Sequence, residues 1–283
     1  MNLSVLARIS MHASEFERVL SAIVQLFQAD RRLLETRGSL IVRKLCVLLN
    51  ARAIYIALAK LLRDRALADL DFASIMVQTL NLILLTALEL SDLRATLRTS
   101  FQPGASPADR EVFSALFETW CQNPVSTLSL CLLAQAYDLS AALVSKFAEV
   151  EITVGFLMQI DKLVQLLESP IFVQLRLQLL DMDSPTHAAL LKSLFGLLMV
   201  LPQSTAYRTL ADRLATVSSL QAHLGALPPP GKSEEPGNSK KRAARAEAVA
   251  GLLQKFEDTA ARINERSAAA RVQAAAPGSG QPE

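Results

Sequence analysis

Few residues in this sequence interrupt secondary structure or can form disulfides: the 283 residues include only 10 Gly, 12 Pro and 3 Cys. The cysteines, Cys46, Cys121 and Cys131, have neither disulfide-framework nor zinc spacing, which excludes a disulfide scaffold and indicates a reducing, cytosolic compartment. The scarcity of Gly and Pro excludes collagen, and the 51% apolar content excludes a disordered chain. The chain also contains 51 Leu, and this composition predicts a helical protein, not an all-β one.

Charge is low and uneven, with 20% charged residues and a net charge of +2. The first hundred residues carry a net charge of +4, the second hundred −5 and the remainder +3. No part is basic enough to predict nucleic acid as the main partner. Arg8 and His12 stand where a signal peptide requires an apolar run, so secretion is not expected.

The longest uncharged run covers residues 72–88, between Asp71 and Glu89. Its 17 residues fall short of the roughly 20 that a bilayer-spanning helix needs. We therefore predict a buried helix of a stacked α-fold here, with a membrane span as the alternative.

Four segments begin with a capping residue followed by proline, which is typical of a helix start. They are Ser106-Pro107, Asn123-Pro124, Ser169-Pro170 and Ser184-Pro185. The Ser or Asn side chain accepts a hydrogen bond from a backbone N–H at the helix start, and proline lacks only a donor that has no partner there. The short intervals between these starts predict short antiparallel helices joined by tight turns.

Elsewhere apolar residues recur every three or four positions, which predicts amphipathic helices. One stripe runs from Phe16 to Phe27, and Gly38 is predicted to end that helix; Asn50 is predicted to end the next one. We expect about a dozen helices between residue 2 and about residue 218, and no strand. Consecutive hairpins of such helices predict a HEAT-like α-solenoid.

Two predicted helices, over residues 75–90 and 190–201, are apolar on nearly every face. Either neighbouring helices cover them completely, or one face completes its burial against another chain. On the second interpretation, the candidate oligomerisation residues are Leu80, Ile83, Leu84, Leu194 and Leu198.

A linker is predicted over residues 219–240, where Gly and Pro are concentrated. A C-terminal amphipathic helix is expected over 241–273 and a disordered tail over 274–283. Residues 226–233 loosely match a phosphate-binding loop, but three consecutive prolines remove the N–H donors that such a loop needs. The basic residues 240–242 with Arg245 predict the charged start of a solvated helix, or alternatively a nuclear signal or a contact with anionic lipid.

No arrangement of residues predicts catalysis, a cofactor or a metal. The three His are too far apart in sequence for a helical metal pair, and His187 is expected at the solvated surface. Glu149, Glu151, Asp161 and Glu168 are interpreted as a solvated helix face, not as a catalytic pair. The residues thus indicate a helical interaction protein and not an enzyme.

Several strings make the chain resemble a known family. They are LLETRG at 33–38, IVRKLCVLLNA at 41–51, DFAS at 71–74, WCQNPVSTLSLC at 120–131, VQLLESPIF at 164–172, LRLQLLD at 175–181, GLLM at 196–199, LPQS at 201–204 and LLQKFE at 252–257. Over roughly residues 31–217 the sequence resembles the C-terminal region of the ArPIKfyve vacuole-morphology scaffold family of the PIKfyve lipid-kinase complex.

The resemblance implies a non-catalytic scaffold that self-associates as a homo-oligomer and binds a Sac-domain phosphoinositide 5-phosphatase. It also implies a FYVE-finger phosphatidylinositol 3-phosphate 5-kinase as partner. Together they would regulate phosphatidylinositol 3,5-bisphosphate on endosomal and vacuolar membranes, with the chain cytoplasmic and peripheral. Of the family's N-terminal HEAT repeats, only residues 1–30 resemble a final repeat. Residues 31–218 would be the scaffold domain.

The motif strings place the expected phosphatase contacts at Trp120, Leu130, Leu175, Arg176 and Leu177. Arg176 is a charge within an apolar segment, and it is expected to pair either with Asp161 or Glu168 or with a partner carboxylate. The alternative function is a generic α-solenoid adaptor in vesicle trafficking. It predicts a monomer that binds no phosphoinositide enzyme.

Overall fold

The computed structural model of the chain describes residues 13–66, 69–102, 104–224 and 238–275, and within these ranges it contains helices and no strand. The helices are α1 (Ala13–Ala29), α2 (Arg31–Leu33, the π-helical turn Leu34–Gly38 and Ser39–Leu48 in succession), α3 (Ala51–Ala66), α4 (Leu70–Thr86), α5 (Ser91–Ser100), α6 (Pro107–Trp120), α7 (Pro124–Leu133), α8 (Tyr137–Lys146), α9 (Val154–Leu167), α10 (Val173–Gln178), α11 (His187–Val200), α12 (Thr205–Leu224) and α13 (Asn238–Ala275). Short 3-10 turns lie at Leu88–Leu90, Phe147–Glu149 and Pro170–Phe172. The prediction of an all-α fold is confirmed.

Most helices pack against helices that are near them along the chain. α3 packs on α1, α2, α4 and α6, and α7 packs on α4, α6, α8 and α9. α8 packs on α11, while α9 and α11 both pack on α12. This neighbour-to-neighbour stacking is that of an α-solenoid, as predicted, and it forms one continuous core from Leu20 on α1 to Val217 on α12.

Helix α13 departs from this order because it contacts α6 and α8, far earlier in the chain. Its Phe256 and Leu252 are buried in the common core. Lys146 on α8 forms an ion pair with Glu257 at 2.8 Å. The second half of the stack is therefore covered by a helix that follows the predicted linker in sequence.

The basic start of α13 is partly used within the chain. The Arg245 Nε atom lies 2.9 Å from Asp138 Oδ2, as an ionic contact without hydrogen-bond alignment. Its guanidinium group also lies 5.9 Å from the centre of the Phe101 ring, within the range of a cation–π contact. Arg245 therefore contributes to the docking of α13.

Some sequence predictions fall outside the described residues. α12 continues to Leu224, beyond the expected start of the linker, and residues 225–237 are not described. The loop-like segment 226–233 lies among them. Residues 1–12 and 276–283, which include most of the expected tail, also lie outside the described part of the chain.

Two of the four predicted helix starts are confirmed as caps. Ser106 Oγ accepts a hydrogen bond from the Asp109 N–H at 3.1 Å, and Asn123 Oδ1 accepts from the Ser126 N–H at 2.9 Å. Ser169 instead precedes a 3-10 turn and makes no side-chain cap, and the helix after Ser184 begins only at His187. The latter two predictions are wrong in detail because short turns intervene between the proline and the helix.

The predicted helix end at Gly38 is also wrong. α1 ends at Ala29, and Asp30 then caps the next helix by accepting a hydrogen bond from the Leu33 N–H at 3.1 Å. Gly38 lies inside α2, where an added Cβ would come within 2.7 Å of Leu34 Cδ1. Asn50 follows α2 as predicted, but its side chain caps α3 by accepting from the Ala53 N–H at 3.1 Å.

Among the described helices, none is by itself both long and apolar enough to cross a membrane. Leu70–Thr86 and Leu88–Ser100 meet the length and composition requirement only as a pair, and the two are bent by 88°. The buried Arg94 holds this bend, because its Nη1 donates to the carbonyl oxygens of Leu84 at 2.9 Å and Ala87 at 2.6 Å. These carbonyls belong to the end of α4, where the last turn has no helical N–H partners.

The three cysteines are all free thiols in the core. Burial, with a smaller contribution from the negative charge of Glu89, raises the pKa of Cys46 to about 12. Burial also raises the pKa values of Cys121 and Cys131. Since the thiolate is the reactive form, these side chains are protected both sterically and by their protonation state.

We predict that a thiol reagent at pH 8 labels none of the three cysteines in the native chain and all three in guanidinium chloride, measured by mass spectrometry. The free energy of unfolding should also fall as the pH rises above about 8.5, because only the unfolded thiols ionise there. Rapid native labelling would contradict the buried positions.

A second prediction concerns Gly196, where α11 meets α8. An added Cβ would come within 2.3 Å of Val144 Cγ1, and valine has little rotamer freedom on a helix. Gly196→Ala should therefore lower the free energy of unfolding by about 1–2 kcal/mol, after the helix-propensity gain of alanine is subtracted.

The matched control is Gly251→Ala on α13, where the new Cβ would meet no atom within 4 Å, so no destabilisation is expected. In denaturant unfolding, Gly196→Ala combined with Val144→Ala should be more stable than the sum of the two single changes predicts. If the changes in unfolding free energy of the two single variants simply add in the double variant, the steric explanation is excluded.

Candidate partner-binding surface

The five expected phosphatase contacts do not form one surface. Trp120 on α6 and Leu130 on α7 are fully buried, and Leu175 on α10 is nearly so. Arg176 is partly buried, and Leu177 is 54% exposed. Of the five expected contacts, only Leu177 and part of Arg176 reach solvent, and both lie on α10.

Trp120 lies at a polar junction inside the core. Its Nε1 donates to Asn81 Oδ1 on α4 at 3.1 Å, and Ser129 Oγ on α7 donates to the same oxygen at 2.9 Å. Thr127 Oγ1 donates to the Trp120 carbonyl at 2.6 Å. Trp120 therefore joins three helices of the stack, which is a structural role.

Arg176 holds α10 against the end of α9. Its Nη1 donates to the carbonyl oxygens of Leu167 and, at 2.8 Å, of Ser169. These acceptors close α9, where backbone carbonyls have no helical partners and a positive charge is favoured. The guanidinium group thereby fixes the direction in which α10 leaves α9.

The expected pairing of Arg176 with Asp161 or Glu168 is wrong. Glu168 instead binds Arg213 on α12, with 2.7 Å between its Oε1 and the arginine Nε. Asp161 accepts hydrogen bonds from Ser204 at 2.6 Å and from Gln165 at 2.8 Å. Periodicity could not reveal this, because the competing partners come from α12 and from the loop before it.

The exposed apolar residues of this region form a stripe on and just after α10. Val173, Leu177 and Leu180 are all exposed, and they follow one another at intervals of four and three residues. Val173 and Leu177 lie about one turn apart on one face of α10, and Leu180 follows in the turn after the helix ends at Gln178. We call these three residues the α10 stripe; sequence reasoning identified Leu177 but missed Val173 and Leu180, although their spacing was visible.

The base of the α10 stripe is held by polar contacts with the rest of the stack. The Tyr137 hydroxyl donates to Gln178 Oε1, and Gln178 Nε2 donates to Gln135 Oε1 at 3.0 Å. Arg98 on α5 donates to the Ile171 carbonyl at 2.8 Å. Burial raises the pKa of Tyr137, so its hydroxyl remains a donor at neutral pH. The stripe is therefore presented on a supported backbone.

The candidate oligomerisation residues lie inside this chain. Leu80, Ile83 and Leu84 on α4 are fully buried, since α4 is surrounded by α2, α3, α6 and α7. On α11, Leu194 is buried and Leu198 is partly buried. On α4, neighbouring helices cover these three residues, whereas Leu82 on the same helix is 44% exposed.

A second set of exposed apolar residues lies on two helices, around the start of α9 and in the second half of α11. Its members are Ile152, Val154, Met158, Phe195 and Met199, of which Met199 is 85% exposed. The hydrogen bond between Ser204 and Asp161 brings the loop after α11 to the middle of α9. We call these five residues the α9–α11 patch.

The remaining candidates for chemistry are dispersed. Glu149 forms an ion pair with Lys146 at 3.0 Å, whereas Glu168 forms one with Arg213 on α12. His187 is buried, not solvated as expected, and its Nε2 lies 2.6 Å from Gln221 Nε2. Within the described residues, no group of three or more His, Cys, Asp or Glu side chains is placed to hold a metal ion.

A groove of about 590 Å³ opens between α13 and the ends of α3 and α6. Its charged lining includes Arg63 and Lys255, and both bind Glu118. Burial opposes ionisation of this carboxyl group, but the hydrogen bonds from Lys255 and Arg63 outweigh it and lower the pKa of Glu118. Through Glu118 on α6, Arg63 and Lys255 thus link α3 and α13.

Comparison with known proteins gives one consistent result. The family model described as "Vacuolar protein 14 C-terminal Fig4p binding" matches residues 31–217. The chain is 46% identical over 224 residues to the Protein VAC14 homolog of Arabidopsis thaliana. The matched region is 79% of this chain and 29% of that protein. Over 219 residues it is 43% identical to the Protein VAC14 homolog of Schizosaccharomyces pombe, and the matched region is 77% of this chain and 26% of that protein.

A third relative is the Vacuole morphology and inheritance protein 14 of Saccharomyces cerevisiae, 38% identical over 199 residues, with 70% of this chain and 21% of that protein covered. The chain thus spans less than a third of the length of these relatives. No solved structure gave a significant match. The match over residues 31–217 shows that the chain belongs to the family of Vacuolar protein 14 C-terminal Fig4p-binding regions.

Proposed function

We propose that this chain is a non-catalytic scaffold that binds a Sac-domain phosphoinositide 5-phosphatase. The observation that carries the proposal is the family match over residues 31–217, whose description names Fig4p binding. The name of the Saccharomyces cerevisiae relative places that protein in vacuole morphology and inheritance. A supported helical stack with exposed apolar stripes suits a protein whose task is to hold partners together.

In the proposed assembly, the chain also self-associates and cooperates with a FYVE-finger phosphatidylinositol 3-phosphate 5-kinase. Holding kinase and phosphatase in one particle raises their effective concentration at the same membrane without new chemistry. The product regulated would be phosphatidylinositol 3,5-bisphosphate on endosomal and vacuolar membranes, with the chain in the cytoplasm and peripheral to the membrane.

The α10 stripe is our candidate for the phosphatase contact. It lies in the same block of sequence as the five expected contacts and contains Leu177, the one that is exposed. Trp120, Leu130 and Leu175 would then act indirectly, by supporting the stack from within. Arg176 would orient the stripe through its bonds to the end of α9.

We predict that Leu177→Asp weakens phosphatase binding at least tenfold, because a charge would replace an apolar anchor at the centre of the contact. The test is co-expression of the full chain with a Sac-domain phosphatase of the same organism, followed by size exclusion with light scattering. Leu26→Asp, on α1 and outside the family match, is the control and should leave the complex intact.

Loss of the complex in both variants would point to misfolding, and retention in both would reject the α10 stripe. If the unmodified chain is a well-folded monomer that ignores the phosphatase, the scaffold proposal fails. A generic α-solenoid adaptor would then be the better description.

Self-association is proposed to use the α9–α11 patch. On α11, Leu194 and Leu198 face inward to different degrees, while Phe195 and Met199 are exposed. Unbranched methionine side chains adapt readily to an apolar partner surface. Such a patch provides the kind of surface that an oligomer interface buries.

We predict that Met199→Asp shifts the particle mass of the full chain toward the monomer in light scattering at a fixed concentration. The charge would have to be desolvated in the interface, which opposes association. Leu220→Asp on α12 is the control, since Leu220 is also exposed but lies outside the patch. Equal masses for both variants would reject this surface.

A further inference from the structure

The outward face of α2 combines exposed apolar and basic side chains in one row. Leu40 is 61% exposed and Val47 is 60% exposed. Arg37 and Lys44 are also exposed, and they alternate with these two residues at intervals of three and four. Such intervals bring all four side chains to one side of the helix.

Burial of the opposite face of α2 explains why this row of side chains points to solvent. Leu34, Val42, Leu45 and Cys46 are buried in the core, so the helix is fixed with the other face outward. An exposed leucine and valine on that face gain nothing from the packing of this chain. Their exposure therefore calls for a surface outside it.

The charge of the face is positive. Residues 31–48 carry five basic side chains and one acidic one, Glu35. Arg43 pairs with Glu89 at 2.7 Å and Arg31 pairs with Asp69 at 2.9 Å, whereas Arg37 and Lys44 form no ion pair within the described residues. Arg32 also has no ion pair among the described residues, but only Arg37 and Lys44 alternate with Leu40 and Val47.

The Arg43–Glu89 pair joins α2 to the turn between α4 and α5. It holds the 3-10 turn Leu88–Leu90 beside α2, and Leu88 is 83% exposed there. The hydrogen bond from Arg43 lowers the pKa of Glu89, so this acid remains ionised and its charge remains matched. A strongly exposed leucine thus lies in the turn that Arg43 holds beside α2.

We propose that this face of α2 binds the surface of an anionic lipid membrane. Leucine and valine side chains would enter the boundary between headgroups and acyl chains, while arginine and lysine extend to the lipid phosphates. The regular alternation of the two types fits a laterally uniform surface that is negative outside and apolar inside. The proposal adds a direct lipid contact to the scaffold and does not depend on the phosphatase.

The test is co-sedimentation of the full chain with two kinds of vesicle, phosphatidylcholine alone and phosphatidylcholine mixed with phosphatidylserine. We expect binding to the mixed vesicles only, weakened by added salt because the screening length shortens. Lys44→Glu should reduce the affinity about tenfold, since reversal removes one attraction and adds one repulsion. Leu40→Asp should reduce it by a similar factor.

Two matched controls keep the result specific to α2. Lys192→Glu on α11 makes the same charge change at another exposed site, and Leu26→Asp on α1 makes the same apolar-to-acid change. Both should sediment with the mixed vesicles like the unmodified chain. Circular dichroism and thermal unfolding would verify that Lys44→Glu, which alters only an exposed side chain, retains the fold.

Absence of binding by the unmodified chain, or equal binding by Lys44→Glu and Lys192→Glu, would overturn the proposal. Binding of soluble polyglutamate in place of the mixed vesicles would also overturn it, because the face would then recognise an acidic protein. The phosphatase co-elution described above is measured without lipid, so the two proposals fail independently.

Discussion

The burial of α4 is the constraint on which the rest of the structure depends. This helix is apolar on almost every side, and it is stable in water only if other helices cover most of it. α2, α3, α6 and α7 do so, and of its large apolar side chains only Leu82 remains exposed. The polar group that α4 carries into this core, Asn81, must be satisfied there, and Trp120 Nε1 and Ser129 Oγ both donate to its oxygen. Removing either donor would leave part of that oxygen's bonding unmet in the core.

Once this core is closed, most of the exposed large apolar residues fall into three groups, whereas Leu26, Leu48, Leu82 and Leu220 lie outside them. The α10 stripe, the α9–α11 patch and the outward face of α2 belong to different helices of the stack, so the contacts proposed for them share no residues. Each is anchored by an arginine or a serine that bonds a neighbouring element: Arg176, Ser204 and Arg43 respectively. These contacts give the surfaces fixed positions, which is what a scaffold needs.

Much of the fold was predictable because its signals are local. Ser106 and Asn123 cap helices as expected, since a cap requires only that a side chain reach an N–H three residues away. The predictions at Gly38 and Ser169 were wrong because they, too, relied only on local signals. Gly38 stays within α2 because the true break is capped by Asp30, and the Ser169 carbonyl is bound by an arginine further along the chain. Neither outcome follows from the residues immediately around these positions.

The sequence alone determined the helical class of the protein, through its leucine content and its three-to-four periodicity, and its family, through long strings of specific residues. It did not determine which of those residues meet a partner. Leu175, Arg176 and Leu177 are consecutive, yet the first is buried, the second caps α9 and the third is exposed. Successive residues on a helix point about 100° apart. Which of them meets solvent was decided only when α10 was placed against α9, a contact between elements that no local pattern encodes.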